Sequence, residues 1–135
     1  MKVLVVGSGG REHAIVDALA RSSASPKIFA APGNGGIREL AELVPIPADD
    51  VPALADFAHA QRIDLTFIGP EVPLSRGIVD AFRRMGLAVV GPTANEARLE
   101  SSKGFAKQFF KSNNIPTAEF SECSTPRQAY AVLER

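Results

Sequence analysis

The stretch Val3-Leu4-Val5-Val6-Gly7-Ser8-Gly9-Gly10-Arg11-Glu12-His13-Ala14 constrains this chain more than any other. Four apolar residues run into a glycine turn, and the turn runs into a helical pattern. That is a buried strand feeding a helix through backbone able to come close to whatever sits in the turn. The first amides of such a helix have no intrahelical carbonyl partner, and its dipole favours negative charge, so the turn reads as an anion site. Arg11 adds a fork of donors suited to a phosphate or carboxylate.

A dinucleotide is the first anion to consider, because Gly7-x-Gly9 after a strand opens that fingerprint. Two features argue against it. Glu12 stands where a third glycine would allow close packing. The second strand, Lys27-Ile28-Phe29-Ala30-Ala31, runs into Pro32-Gly33-Asn34-Gly35-Gly36, with no acid at its end to hold ribose hydroxyls.

Short apolar runs alternate with helical patterns along the rest of the chain. Strands are expected at 2–7, 27–31, 63–68 and 87–90, with a short edge strand at 44–47 because Pro45 and Pro47 exclude a central position. Helices are expected at 12–22, with Ala14, Ile15, Ala18 and Leu19 inward, and at 37–42, 52–61 and 74–85. Ser22, Ser23, Ser25 and Pro26 end the first, Asp49 or Asp50 caps the third, and Gly86 ends the fourth. Such alternation predicts an open, doubly wound, mainly parallel sheet with helices on both faces, a Rossmann-like α/β fold. Ligands of such sheets lie at the carboxyl ends of the strands, which here gathers 7–12, 32–36, 69–74 and 91–93 on one edge. Within that set Glu71, flanked by Pro70 and Pro73, is the candidate acceptor for ligand hydroxyls or an amine.

Composition removes several classes of partner. The chain of 135 residues carries fifteen basic and fifteen acidic side chains, so no net field draws it to nucleic acid or to a membrane surface. No apolar run approaches membrane-spanning length. Cys123 is the only cysteine, which rules out an intrachain disulfide, suits a cytoplasmic setting, and reads as a small buried or half-buried side chain. His13 reads as structural and His59 as solvated; neither a metal-ligand spacing nor a nucleophile–base pair is legible.

After Gly91-Pro92 the character changes. Helices are expected at 93–99, capped by Thr93, and at 101–111, with Phe105, Phe109 and Phe110 apolar and Lys103, Lys107 and Lys111 along one side. Lys107 and Lys111 read as a solvated stripe. Lys103, near the helix start, opposes the dipole and gains a reason if it reaches a phosphate. Residues 115–120 are extended, and Thr125-Pro126 opens a last helix reaching Arg135, a pattern that reads as part of something longer.

Val5 to Ala14, Ala31-Pro32-Gly33-Asn34, Ile63-Asp64-Leu65-Thr66, Gly69 to Leu74, Gly91-Pro92-Thr93, Ser102-Lys103 and Ile115-Pro116-Thr117-Ala118 together resemble a known family. It is the N-terminal portion of the phosphoribosylamine–glycine ligases, or glycinamide ribonucleotide synthetases, in the ATP-grasp superfamily. The resemblance implies a pre-ATP-grasp substrate domain at 1–100 and the incomplete start of an ATP-grasp domain at 101–135. It implies an ATP-dependent ligase of purine biosynthesis joining glycine to 5-phosphoribosylamine through glycyl phosphate, giving glycinamide ribonucleotide, ADP and phosphate. Gly9, Gly10 and Arg11 would form the substrate loop, Glu12 and Glu71 would hold ribose hydroxyls or the amine, and Pro32, Gly33, Asn34 and Pro70 would form its walls. Lys103 would meet ATP phosphate. The catalytic groups and the ligands of Mg2+ or Mn2+ would lie downstream, so the chain is expected to be inactive alone, and the full enzyme to be a monomer. A nicotinamide-dependent oxidoreductase domain and a non-catalytic nucleotide-binding module are the competing readings.

Overall fold

The computed structural model describes residues 1–24 and 26–134; Ser25 and Arg135, read above as part of a helix break and as the end of the last helix, lie outside the described residues. The chain divides into two compact units, Met1–Ala97 and Arg98–Arg135.

The first unit contains β1 (Lys2–Gly7), α1 (Gly10–Ala20), β2 (Lys27–Pro32), a 3-10 turn (Ile37–Glu39), β3 (Glu42–Leu43), α2 (Val51–Gln61), β4 (Leu65–Ile68), α3 (Glu71–Ser75), α4 (Ile78–Arg84) and β5 (Val89–Val90). α5 (Ala94–Ser101) follows and contains the division. The strands form one sheet in the order β3-β2-β1-β4-β5, every pair parallel. The chain builds outward from β1 through β2 to β3, then crosses to the other side of β1 for β4 and β5. Strand order therefore reverses between β1 and β4, which is where a doubly wound sheet opens a crevice.

Alternation along β1 explains why both faces are covered. Val3 and Val5 point into a cluster with Ile28, Ala30, Ile37 and Val16 of α1. Leu4 and Val6 point the other way, against Leu54, Ala55 and Ala58 of α2 and Ile78, Val79 and Phe82 of α4. All four β1 side chains are fully buried. Burying each stabilises the fold by about 1.5–3 kcal/mol, which fixes β1 at the centre.

Several boundaries differ from the sequence expectation for physical reasons. α1 begins at Gly10, and its inward face is Glu12 and Val16 with Ile15 and Leu19 packed beside them as expected, whereas Ala14 and Ala18 are exposed. The edge strand pairs at Glu42–Leu43, not 44–47: Val44 donates one last bond to the Ala30 carbonyl (2.9 Å), and Pro45 then has no N–H to offer. The expected helix 74–85 is two helices, because Gly77 takes a left-handed φ of +80° between α3 and α4. α3 starts at Glu71, so the proline-flanked stretch is a loop only as far as Pro70. β4 starts at Leu65 rather than residue 63, after Arg62 closes α2 in a left-handed conformation.

In the second unit, α6 (Lys103–Ser112) is capped by the Ser102 hydroxyl and α7 (Pro126–Leu133) by that of Thr125. Residues 115–120, expected to be extended, form neither helix nor strand among the described residues. Lys107 is half-buried and bonded within the unit: its ammonium donates to Thr117 Oγ1 (2.6 Å) and to the Ala118 carbonyl (3.0 Å), tying that segment to α6. Cys123 is exposed, contrary to expectation.

Candidate functional site

At the switch point the exits of β1 and β4 enclose a cleft of about 480 Å3. Gly7, Ser8, Gly9, Gly10, Arg11 and Glu12 form one wall; Pro70, Val72 and Pro73 form the second; Ala48 and Asp49 complete the lining.

The glycine turn already holds an anion, and it belongs to the chain. Glu12 is 3% exposed. Its Oε2 accepts the Gly9 N–H at 2.6 Å, which satisfies the N-cap amide of α1 and places negative charge at the positive end of the helix dipole. Gly7 sits at φ +128°, and a Cβ there would lie 2.6 Å from Glu12 Cγ, so conformation and space both demand glycine. The close approach expected for an external ligand at Gly7 and Gly9 is thus used from inside. Gly10 differs: a Cβ on it would meet nothing within 4 Å, and it faces the cleft.

Arg11 and Glu71 meet at the rim. Their side chains, 64% and 40% exposed, form an ion pair at 2.6 Å between the first turn of α1 and the first residue of α3. In that setting the pair contributes about 0–1 kcal/mol, so a ligand carrying its own charges can replace it cheaply.

The 32–36 loop stands behind the first wall. The Asn34 amide donates to the Ser8 carbonyl (2.8 Å) and accepts from the Ile37 N–H (2.9 Å), so both ends of this side chain brace the loops. Gly33 N–H continues the sheet ladder to the Gly7 carbonyl, and Pro32 ends β2. His13 packs against Gly36, where a Cβ would lie 2.6 Å from its Cε1. Among the expected site residues the structure therefore joins Gly9, Gly10, Arg11, Glu12 and Pro70 around the cleft, with Glu71 held at its rim by Arg11. Glu12 is buried at the floor of the turn, and Pro32, Gly33 and Asn34 act as backing.

Lys103 opens α6 in the second unit and is exposed. That unit has its own hollow of about 690 Å3, lined by Asn114 to Ser121 with Lys111 and Val132. It is larger than the switch-point cleft, but it lacks the convergence of strand ends that places ligands in this fold class. Among the described residues no group of three or more His, Cys, Asp or Glu could hold a metal ion, and no helix is long and apolar enough to cross a membrane.

Asp49 and Ala48 were missed in the sequence. Asp50 caps α2 by accepting from Ala53 N–H at 3.2 Å, which leaves Asp49 at the cleft, paired with Arg76 at 2.8 Å. The adjacent aspartates were equivalent as caps, and only the position of the β3–α2 connection over the strand ends separates them.

A parallel sheet with reversed strand order, a glycine turn at the reversal and an Arg–Glu pair across it place the first unit in the class of Rossmann-like α/β domains. The chain belongs to the family described as phosphoribosylglycinamide synthetase, N domain, whose profile matches residues 1–100. It is 48% identical over 135 residues to the phosphoribosylamine–glycine ligase of Escherichia coli strain K12, a match covering 98% of this chain and 32% of that protein. It thus spans about a third of the length of the curated relatives it matches. The crystal structure of phosphoribosylamine–glycine ligase from Thermotoga maritima superposes with a TM-score of 0.71 at 27% identity, covering 99% of this chain and 30% of that one. N5-carboxyaminoimidazole ribonucleotide synthetase from the same organism gives 0.72 at 16% identity over 97% of this chain and 36% of its own, a likeness of fold alone.

Proposed function

We propose that the switch-point cleft binds the phosphoribosyl substrate of an ATP-dependent ligase that joins glycine to 5-phosphoribosylamine in purine biosynthesis. In this reading the chain supplies that site to a protein of its relatives' length. The observation that carries it is the Arg11–Glu71 pair across the cleft of a chain in this family. Arg11 and the first turn of α1 offer donors to a phosphate, and Glu71 accepts from ribose hydroxyls or the amine. A ligand with an anionic end and a donor end exchanges one weak internal pair for two contacts of its own. Holding the amine in place is what such a residue pair can add to the reaction, since aligning a nucleophile with its acceptor removes much of the entropic barrier.

ATP would supply the phosphoryl group that activates the glycine carboxylate. Lys103, exposed at the start of α6, is the candidate contact to its phosphates. Among the described residues no group of three or more His, Cys, Asp or Glu could hold the magnesium.

Calorimetric titration of the chain with glycinamide ribonucleotide tests the reading. Binding is expected, and Arg11→Ala should weaken it by about tenfold or more, the loss of a charge-assisted contact. A chain that ignores the ribonucleotide, or a variant that binds it as tightly as the parent, would overturn the assignment.

A further inference from the structure

The binding scheme above leaves the Glu12 carboxylate without a task at the ligand, although burying a charged group is costly unless something compensates it. Oε2 is compensated by the Gly9 N–H, while Oε1 is buried with no hydrogen-bond partner among the described residues. Oε1 lies against Gly69. A methyl added at Gly69 would overlap Oε1, and at Gly9 it would lie 3.0 Å from Oε2. The two walls of the cleft thus touch through one side chain: Gly7 and Gly9 come from the β1–α1 turn, Gly69 from the β4–α3 turn. The φ of Gly69 is not in the left-handed region, and its N–H makes an ordinary bond to the Val6 carbonyl at 3.1 Å. Its lack of a side chain is explained by the carboxylate alone.

We infer that Glu12 is a positioning residue whose carboxylate spaces the β1–α1 turn from the β4–α3 turn and so sets Arg11 opposite Glu71. Arg11 is its chain neighbour, and Glu71 lies two residues beyond Gly69, so any change in the depth of the carboxylate is passed to both ends of the pair. The carboxylate also closes the underside of the turn, so a ligand's phosphate meets the outer side, at Gly10 and Arg11. Only this last point, and the affinity arm of the test below, rest on the proposed ribonucleotide site.

A double-mutant cycle between Glu12→Ala and Gly69→Ala reads the spacing without any ligand. In the parent the Gly69 methyl collides with the carboxylate and should lower the folding equilibrium constant by about tenfold or more; in Glu12→Ala the vacated space accepts it, and the change should be within about twofold. Folding of the double variant where Gly69→Ala alone fails to fold shows the same coupling. Additive effects would overturn the inference. Glu12→Gln supplies the spectroscopic arm, since it keeps an acceptor for Gly9 but loses the charge. Amide resonances of Gly69 and Glu71 should move together with those of 7–11; movement confined to 7–13 would overturn it. Affinity for glycinamide ribonucleotide should fall about tenfold or more in Glu12→Gln with the fold retained, and an unchanged affinity would count against positioning. If the parent itself does not bind the ribonucleotide, the proposed function fails, while the cycle and the amide shifts still decide the role of Glu12.

Discussion

Gly10 and Gly7 are three residues apart and glycine for different reasons. Gly7 is dictated by its φ of +128° and by the Glu12 side chain behind it, whereas nothing within the protein explains Gly10. An alanine there would sit at the first position of α1 with open space around it. Gly10→Ala should leave stability unchanged or raise it by up to about 1 kcal/mol, through better helix propensity and a less flexible unfolded chain. If the phosphate lies against this backbone, the same methyl should weaken ribonucleotide binding. Denaturant unfolding and calorimetry on one variant read both effects; a stability loss, or full affinity, would mean that the cleft does not use Gly10. Arg11 and the glycines were legible in the sequence because they sit in the only strand–turn–helix run of their kind. The fate of Glu12 was not, since a first-turn acid satisfies the dipole whether it faces water or folds beneath the turn. Lys107 was opaque for a similar reason, its partners Thr117 and Ala118 lying ten and eleven residues away.

Among the elements, α5 carries a titratable cap. Glu96 accepts from the Thr93 N–H (2.7 Å) and hydroxyl (2.8 Å), and the Thr93 backbone bond holds its carboxyl below the ordinary value. A carboxyl whose folded pKa is depressed stabilises the fold fully above its unfolded pKa and loses that contribution as pH falls through the folded one. The start of α5 should therefore fray on acidification before the sheet does, seen as faster exchange of the Thr93 amide at a pH where β1 amides remain protected. Equal protection of Thr93 across that range would contradict the cap. The core helix α4 is less forgiving. Phe82 is fully buried against the sheet, and Phe82→Ala should cost about 3–5 kcal/mol in denaturant unfolding. A loss below about 1 kcal/mol would mean that the site collapses around the deletion. The long elements β1, β2 and α2 were readable from their hydrophobic pattern. The two-residue strands β3 and β5 and the break at Gly77 were not, because pairing partners and a left-handed φ decide them, and neither leaves a periodic signal.

For the first unit as a whole, the alternation of strands and helices was enough to anticipate a doubly wound sheet and the edge on which ligands gather. The strand order was not legible, and it is what selects the β1 and β4 exits from the four loops on that edge. With the order known, Arg11 and Glu71 become neighbours although 60 residues separate them in the chain. The proposed phosphoribosyl site is thus built at the reversal of strand order, on a glycine turn whose underside is filled by the chain's own carboxylate. Its most direct test is an amide chemical-shift titration of the chain with glycinamide ribonucleotide, run beside NADH. Amide shifts confined to 9–11, 71 and 72 on adding the ribonucleotide, with none from NADH, are the predicted result; shifts elsewhere, or an NADH response at the glycine turn, would contradict it.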